Sequence, residues 1–328
     1  YRKYQAMKNV GLFCGGFSSE YEISMKSAKT IYDSFPKEFT VHKIEVTPEE
    51  WFISTKSGKV PYDKNKGELY FENKTIQIDL AIICIHGDPG ENGKIQAYLD
   101  LIKIPYLNSS AEASSLSFDK YICNQFLNAC GFKTAMSRRL TKGAAYNVED
   151  LVKTLRLPLF IKPTGSGSSY GISKVYETAE IEPAIKNAFK EGETIIAESF
   201  LDGIELTCAV FRSKKGLVAL PVTQISTEND FFDFDAKYNG NSKEETPANI
   251  GNELTAEIQK ISKEIYEALQ LGSVARIDYI VVDGTPNIIE VNTIPGFSKA
   301  SIVPQMLKCA KISLDAFWLM IIEAELNN

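Results

Sequence analysis

Long hydrophobic runs are absent from this sequence of 328 residues. The longest, at residues 80–85 and 317–322, are much shorter than the roughly 20 apolar residues that a membrane-spanning helix requires. No hydrophobic leader with a cleavage site is visible near the first residue, so we do not expect secretion. We therefore expect a cytoplasmic protein whose natural first residue is Met7, with residues 1–6 as an addition.

Paired cysteines and clusters of basic residues are also absent. The six cysteines are scattered and form no CxxC motif, which is typical of thiols in a reducing compartment. Basic and acidic side chains, 36 and 42 in number, are well mixed and give a net charge of −6. Because nucleic acid binding depends on clustered Lys and Arg, we expect no nucleic acid partner, and the lack of apolar runs predicts no membrane partner.

Strands and helices alternate in the first third of the chain, which indicates an α/β fold with a parallel sheet. Ser19 and Glu22 form a capping-box pattern that predicts the start of a helix. The chain is too long for one ordinary core, so we expect several domains. Their predicted bounds are 1–114, 115–201 and 202–328, the last with a polar lid loop at 227–252.

Two carboxylates and an amide near the C-terminus alternate with apolar residues, Asp278 on one predicted strand and Glu290 and Asn292 on the next. Side chains two residues apart on a strand share a face, so Arg276 should lie beside Asp278. Such oxygen donors are the ligands that Mg²⁺ prefers, and an apolar strand rarely carries carboxylates inward without a metal or a cation. The pattern favours phosphoryl chemistry, and the alternative is a surface hairpin with ordinary charges.

The metal-site interpretation requires Asp278 to lie opposite Glu290. Regular pairing would then place Ile280 opposite Ile288 and leave a turn around residues 283–284. Asp-Gly is a favourable turn sequence, so the sequence is compatible with this hairpin.

A run of glycine and serine follows Lys162 within residues 160–175. Glycines allow backbone N–H groups to approach an anion, and serine hydroxyls add donors, so this loop suits a triphosphate. It is not a Walker A loop, because the lysine precedes the glycines and no helix is predicted after them. An exposed hairpin loop is an equally consistent alternative.

Three further segments carry candidate residues. His86 follows an apolar strand, where α/β proteins often bind ligands, although a structural histidine is the alternative. Glu20, near the first strand-to-helix turn, could hold a substrate ammonium or merely complement the helix dipole. The segment 231–245 is long and contains many aromatic and charged residues, which is typical of a lid or binding loop. Lys237 and Tyr238 could close over ligands there, and disorder is the alternative.

Seven segments, in this order, resemble motifs of the D-alanine–D-alanine ligases of the ATP-grasp superfamily. They are GGFSSEYEIS, HGDPGENGKIQ, SFDK, KPTGSGSSYG, DAKY, ARID and EVNTIPGFSKAS. The resemblance covers nearly the whole chain. It implies an α/β, three-domain ATP-grasp architecture with a parallel-sheet N-terminal domain and two α+β domains that sandwich the nucleotide.

The resemblance also implies which residues form the site. The positions that bind ATP are occupied by Lys120, Lys162, Ser169, Glu198, Phe200, Leu201, Glu205 and Lys237. The positions that bind two Mg²⁺ ions, for which Mn²⁺ can substitute, are occupied by Asp278, Glu290 and Asn292. The catalytic positions are occupied by Glu20, Ser168, Tyr238, Arg276 and Gly296. The substrate-binding positions are occupied by His86 and Ser301.

Each of these positions has an implied role. By resemblance, Glu20 contacts the ammonium of the first D-alanine, in a hydrogen-bonded group with Ser168 and Tyr238. Arg276 and the Gly296 N–H form an oxyanion hole. Three positions depart from the usual family residues, with Asn for Asp, Ser for Glu and Ser for Thr, at Asn92, Ser166 and Ser298.

The implied reaction joins two D-alanine molecules through an acylphosphate, with ATP as phosphate donor, for peptidoglycan precursor synthesis. A homodimer is implied as well. Tyr238 favours a dipeptide product, since relatives that form a D-alanine–D-lactate ester resemble this family but carry Phe or lack the residue. The alternatives are an ATP-grasp carboxylate–amine or D-alanine–D-lactate ligase of other specificity, and a catalytically silent nucleotide-binding module.

Overall fold

Three β-sheets, each flanked by helices, form the part of the protein that the computed structural model describes, residues 8–165, 171–227 and 242–326. The predicted site residues Ser168, Ser169, Lys237 and Tyr238 lie outside these ranges, as do Ser166 and much of the predicted lid loop. None of the helices in the described ranges has the length and apolar character that a membrane crossing requires.

The N-terminal sheet has a parallel centre and an antiparallel extension. Its strands are β1 (Asn9–Gly15), β2 (Thr40–Val46), β3 (Trp51–Thr55), β4 (Gly58–Asp63), β5 (Glu68–Phe71), β6 (Lys74–Gln77) and β7 (Leu80–Ile83). Their order is β6-β5-β4-β3-β2-β1-β7. Strand β1 pairs in parallel with β2 and β7, as predicted, whereas β3 to β6 form antiparallel hairpins that were not predicted. Two helices accompany this sheet, α1 (Tyr21–Ser34) and α2 (Lys94–Leu101).

Helix α1 begins without the predicted capping box. The helix starts one residue later than the pattern requires, so Glu20 rather than Ser19 precedes it, and no side chain caps it. Instead the Ser18 hydroxyl accepts from the Glu20 N–H at 3.3 Å and donates to the His86 carbonyl at 2.9 Å. The prediction for Ser19 and Glu22 is therefore wrong, and the start of α1 is joined to the loop after β7.

The central sheet is antiparallel. Its strands are β8 (Ser137–Thr141), β9 (Leu159–Pro163), β10 (Ser173–Val175) and β11 (Thr194–Ser199), and their order is β10-β9-β11-β8. Helices α3 (Ala111–Phe118) and α4 (Lys120–Ala129) precede it, and α5 (Val148–Leu155) and α6 (Ile181–Ala188) form an apolar core with it.

The C-terminal sheet lies between two layers of helices. Its strands are β12 (Ile204–Ser213), β13 (Gly216–Ala219), β14 (Thr223–Thr227), β15 (Ser242–Glu245), β16 (Val274–Val282) and β17 (Thr285–Asn292). The order is β15-β14-β12-β16-β17, with β13 paired to β12. Helix α7 (Asn252–Ala268), with α3 and α4, packs in one apolar cluster of this sheet. Helices α8 (Ile302–Cys309) and α9 (Leu314–Glu325) pack in the other.

One apolar core is shared between the first and last parts of the chain. Leu12 of β1 and Phe35 after α1 belong to the same buried cluster as Phe211 of β12 and Trp318 of α9. The rings of Phe35 and Trp318 lie 5.7 Å apart. This shared core fixes the loops of the N-terminal sheet against the C-terminal sheet, which sets the geometry of the space between them.

Candidate functional site

A cleft of about 750 Å³ lies among the three sheets. Every predicted site residue within the described ranges lines it, and these are Glu20, His86, Lys120, Lys162, Glu198, Phe200, Leu201, Glu205, Arg276, Asp278, Glu290, Asn292, Gly296 and Ser301. They come from regions of the chain far apart in sequence, so the fold brings the predicted set together.

The hairpin of β16 and β17 presents the acidic side chains. Asp278 pairs with Glu290, as the metal-site interpretation requires. The expected pairing of Ile280 with Ile288 is wrong, because Ile288 pairs with Tyr279 and the register shifts between Asp278 and Tyr279. The two-residue turn, with positive φ at Asp283 and Gly284, sets the register of the distal half. A bulge next to Asp278 then shifts the register and brings Asp278 opposite Glu290.

Asp278 is buried and surrounded by hydrogen-bond donors. Arg276 donates from Nε to Oδ1 at 2.8 Å and from its terminal nitrogen to Oδ2 at 2.7 Å. The Thr207 hydroxyl donates to Oδ1 at 2.5 Å, and the Asn292 amide donates to Oδ2 at 3.0 Å. The bidentate pair compensates for the burial of both charges, and it places Arg276 at the wall of the cleft.

Lys120 faces the same hairpin from the start of α4. The Asp119 carboxylate caps this helix by accepting from the N–H groups of its second and third residues at 3.0 Å. The Lys120 ammonium then lies 3.2 Å from Glu290 Oε2. Burial alone would lower the pKa of Lys120, but Glu290, with Glu91 and Glu198, raises it above its ordinary value. The residue is therefore a fixed cation.

Lys162 forms a second ion pair in the wall of the cleft, and this pair is buried. It lies on β9, and its partner is Glu198 on the neighbouring strand β11. Both side chains are almost inaccessible to solvent, so each charge depends on the other. Glu198 therefore lines the cleft and also neutralises the charge of Lys162.

The connection between the central and C-terminal sheets forms an apolar end of the cleft. Phe200 lies beside Phe160, with ring centroids 6.1 Å apart, and the Lys174 ammonium lies 4.1 Å from the Phe200 ring centroid. Leu201 and Ile204 continue this wall. A flat apolar slot beside two buried ion pairs suits a molecule with an aromatic ring at one end and negative charge at the other.

The turn after β17 forms the opposite end. The Ser301 hydroxyl accepts from the Ser298 N–H at 3.0 Å and lies 2.8 Å from the Ser298 hydroxyl. Gly296 adjoins this group, since a Cβ at Gly296 would lie 3.1 Å from Ser301 Oγ. Two of the positions that depart from the usual family residues therefore keep polar contacts. Ser298 makes the hydroxyl contact with Ser301, and the Asn92 amide donates to Asp88 Oδ1 at 2.7 Å.

His86 and Glu20 form the N-terminal wall, and both are buried. Burial lowers the pKa of His86, although the nearby Glu20 acts in the opposite direction. The ring is therefore neutral near pH 7 and adds no positive charge to this wall of the cleft.

Glu91 lines the cleft and was not predicted. Its Oε2 accepts from the Gly87 N–H at 2.8 Å. Burial, and then the neighbouring Glu20, raise the pKa of Glu91 to about 8. The residue stands within the quoted segment HGDPGENGKIQ, but only its distance to Glu20 in the fold distinguishes it from an ordinary surface acid.

The donors for a metal ion are two carboxylates and one amide oxygen. Among the described residues, no group of three His, Cys, Asp or Glu side chains is arranged to hold a metal, so a site here needs Asn292 as the third ligand. Asp278, Glu290 and Asn292 share one face of the hairpin and border the same cleft. This hard oxygen set fits Mg²⁺.

Comparison with known proteins agrees with this geometry. The family models described as D-ala D-ala ligase N-terminus and C-terminus match residues 9–109 and 124–323. The D-alanine–D-alanine ligase of Parabacteroides distasonis is 42% identical over 324 residues, covering 98% of this chain and 98% of the relative.

Two solved structures are also similar. D-alanyl-alanine synthetase A from Vibrio cholerae has a TM-score of 0.87 at 29% identity, covering 98% of this chain and 99% of that one. The D-alanine–D-alanine ligase from Bacillus anthracis complexed with ATP has a TM-score of 0.79 at 29% identity, covering 98% of both chains. The fold is the α/β ATP-grasp fold, as predicted. The chain belongs to the D-alanine–D-alanine ligase family.

Proposed function

We propose that this protein ligates two D-alanine molecules to D-alanyl-D-alanine at the expense of ATP, through an acylphosphate. The observation that carries the proposal is a family match over both halves of the chain, together with one cleft lined by the matching residues. The product class places the enzyme in peptidoglycan precursor synthesis. We also propose a cytoplasmic location and a homodimer, both supported by the family relationship.

The first step transfers the γ-phosphoryl group of ATP to a carboxylate oxygen of the first D-alanine, and ADP leaves. Lys120 and Lys162 are the described cations positioned for the phosphates, and the apolar end at Phe200 and Leu201 is positioned for adenine. Lys237 and Ser169 belong to this proposal from the sequence. Because phosphoryl transfer depends mainly on positioning and charge neutralisation, two ion-paired lysines in the cleft suit this step.

Asp278, Glu290 and Asn292 would hold Mg²⁺, two ions in our proposal, with Mn²⁺ as a substitute. When bound, the metal neutralises charge on the transferring group. Arg276 holds the Asp278 carboxylate in place from one side, and Lys120 holds Glu290 from the other. The protein therefore presents the two carboxylates in fixed positions.

In the second step the amine of the second D-alanine attacks the acylphosphate carbonyl, loses a proton, and phosphate leaves. Arg276 and Gly296 line the cleft, which supports their assignment to the oxyanion that develops in this step. Loss of one such donor typically raises the barrier by about 3–4 kcal/mol. Ser301 is positioned for the carboxylate of the second substrate. Glu20, with Ser168 and Tyr238, is assigned to the ammonium of the first.

The test measures ADP release and dipeptide formation with ATP and Mg²⁺, with D-alanine in one arm and L-alanine in the other. We expect turnover with D-alanine only, and loss of turnover when EDTA removes the metal. Turnover with another carboxylate and amine, but not with D-alanine, would favour a ligase of different specificity. No turnover in any arm would contradict the proposal.

A further inference from the structure

Ser27 of α1 links His86, in the N-terminal wall of the cleft, to the turn after β17. Its side chain has no exposure to solvent. The Ser27 hydroxyl accepts from the Phe297 N–H at 3.2 Å and lies 3.1 Å from His86 Nε2. One hydroxyl of the N-terminal part of the chain thus joins His86 to the turn that contains Gly296.

The direction of these hydrogen bonds follows from the chemistry of the groups. A backbone N–H can only donate, so Ser27 Oγ is the acceptor from Phe297. Among the described residues, His86 Nε2 is the other partner of this buried hydroxyl. If Nε2 carried a proton, the hydroxyl proton would have no acceptor, so Ser27 donates to Nε2. This arrangement requires a neutral ring with its proton on Nδ1. Burial lowers the pKa of His86, and the Ile294 carbonyl is close enough to favour a proton on the ring. The lowered pKa agrees with a neutral ring, and a backbone carbonyl is available to accept its one proton.

The turn at Gly296 is held from two sides. Phe297 packs against the rings of Phe317 and Trp318, with centroids 5.6 Å and 5.2 Å away. Ring packing alone leaves rotation of the adjoining peptide possible, whereas a hydrogen bond to the Phe297 N–H fixes the peptide plane. Since the Gly296 N–H is one peptide earlier, its direction depends on this bond.

We propose that Ser27 is a positioning residue that aims the Gly296 N–H at the developing oxyanion and holds His86 in its Nδ1-protonated form. The proposal rests on the proposed function, because it assigns Gly296 to the second step. Ser27 itself does not touch substrate. Its removal should therefore slow attack on the acylphosphate more than formation of the acylphosphate.

Ser24 provides a matched control. It lies one turn earlier on α1 and is equally buried. Its hydroxyl likewise has two partners, accepting from the Gly15 N–H at 2.9 Å and donating to the Cys84 carbonyl at 2.8 Å. These partners belong to β1 and to the segment after β7. Ser24→Ala thus removes two hydrogen bonds of a buried hydroxyl that involve neither His86 nor the turn at Gly296.

The experiment compares the two steps in Ser27→Ala, Ser27→Cys and Ser24→Ala. Dipeptide formation reports the whole reaction, and positional isotope exchange within ATP in the presence of D-alanine reports acylphosphate formation. We expect Ser27→Ala to lower dipeptide formation about 10–100-fold with isotope exchange within about threefold of wild type. Ser27→Cys keeps the side-chain volume and should show the same selective loss, even if Ser27→Ala folds poorly. Ser24→Ala should change both steps equally and only slightly.

Nitrogen NMR of the imidazole rings gives a second readout, since the chain contains only two histidines. His42→Asn identifies the His86 signals. We expect a neutral ring protonated on Nδ1, and a shift of the Nε2 resonance in Ser27→Ala but not in Ser24→Ala. An active wild type with equal loss of both steps in Ser27→Ala, or with none, would overturn the positioning role. A wild type that forms no dipeptide would instead overturn the proposed function.

Discussion

Acidic residues in the cleft differ in what compensates their burial. Asp278 has a bidentate arginine and two further donors, and Glu198 has Lys162. Glu91 accepts from a backbone N–H and lies near a second carboxyl group, Glu20. Because burial without full charge compensation favours the neutral form, Glu91 is the acid that holds its proton.

This difference predicts how the stability of the free enzyme depends on pH. Folding raises the pKa of Glu91 from its ordinary value of 4.5 to about 8. The stability that comes from its protonated form is complete below pH 4.5 and is lost as the pH rises to 8. Glu91→Gln should therefore stabilise the ligand-free protein at pH 8.5 by on the order of 2–4 kcal/mol, and by little near pH 4.5.

Chemical denaturation of wild type and Glu91→Gln at the two pH values measures this difference. The amide oxygen of glutamine can still accept from the Gly87 N–H, so the variant keeps that hydrogen bond. An equal midpoint difference at both pH values would show that Glu91 does not titrate in this range.

Residue types and spacing predicted part of the cleft and the family resemblance implied the rest, but neither predicted its ion pairs. Asp278, Glu290 and Asn292 could be recognised because alternation on a strand places them on one face. The ion pair of Lys162 with Glu198 joins residues 36 positions apart (198 − 162) on strands whose pairing has no local signal. Glu91 escaped prediction for the same reason, since its behaviour depends on a contact with Glu20.

At the scale of secondary structure, the buried apolar strands β1 and β7 were predicted, whereas the exposed strand β6 was not. The bulge between β16 and β17 was also missed, because it results from two separate requirements. The Asp-Gly turn sets one register and the pairing of Asp278 with Glu290 sets another.

The junction before β12 gives a prediction at this scale. A Cβ at Gly203 would lie 2.2 Å from the Val281 carbonyl oxygen, which is backbone of the paired strand β16. Gly203→Ala should therefore separate the strands, cost about 1–3 kcal/mol of stability, and weaken ATP binding, because Leu201 and Glu205 flank it in the cleft.

Gly192→Ala is the matched control, since a Cβ there would meet its nearest atom at an ordinary 3.7 Å. Calorimetric titration with a non-hydrolysable ATP analogue and thermal denaturation measure the two effects. Normal affinity and stability in Gly203→Ala would contradict the close packing of this junction.

At the scale of the whole molecule, the sheets do not have fully separate cores. The division into 1–114, 115–201 and 202–328 remains our proposal for the domains. The central sheet has its own cluster, which contains Ile161, whereas the first and last parts of the chain share one that contains Leu12 and Trp318. We therefore expect the N-terminal and C-terminal parts to unfold as one unit.

Trp318 fluorescence tests this expectation in a Trp51→Phe background, since the chain has two tryptophans. Leu12→Ala should lower the stability that Trp318 reports by about 3 kcal/mol, although Leu12 and Trp318 are 306 residues apart (318 − 12) in the sequence. Val218→Ala, at a partly buried position against the same cluster, should have a smaller effect. A Trp318 transition that is insensitive to Leu12→Ala would mean that the two parts unfold independently.

The joint packing of β1 and α9 also bears on how the protein is made. On the ribosome, β1 is synthesised nearly three hundred residues before α9. Helix α1 covers part of the apolar side of the first sheet early, but the shared cluster stays incomplete until β12 and then α9 have been made. Nascent chains halted before residue 314 should consequently bind chaperones that recognise apolar surface.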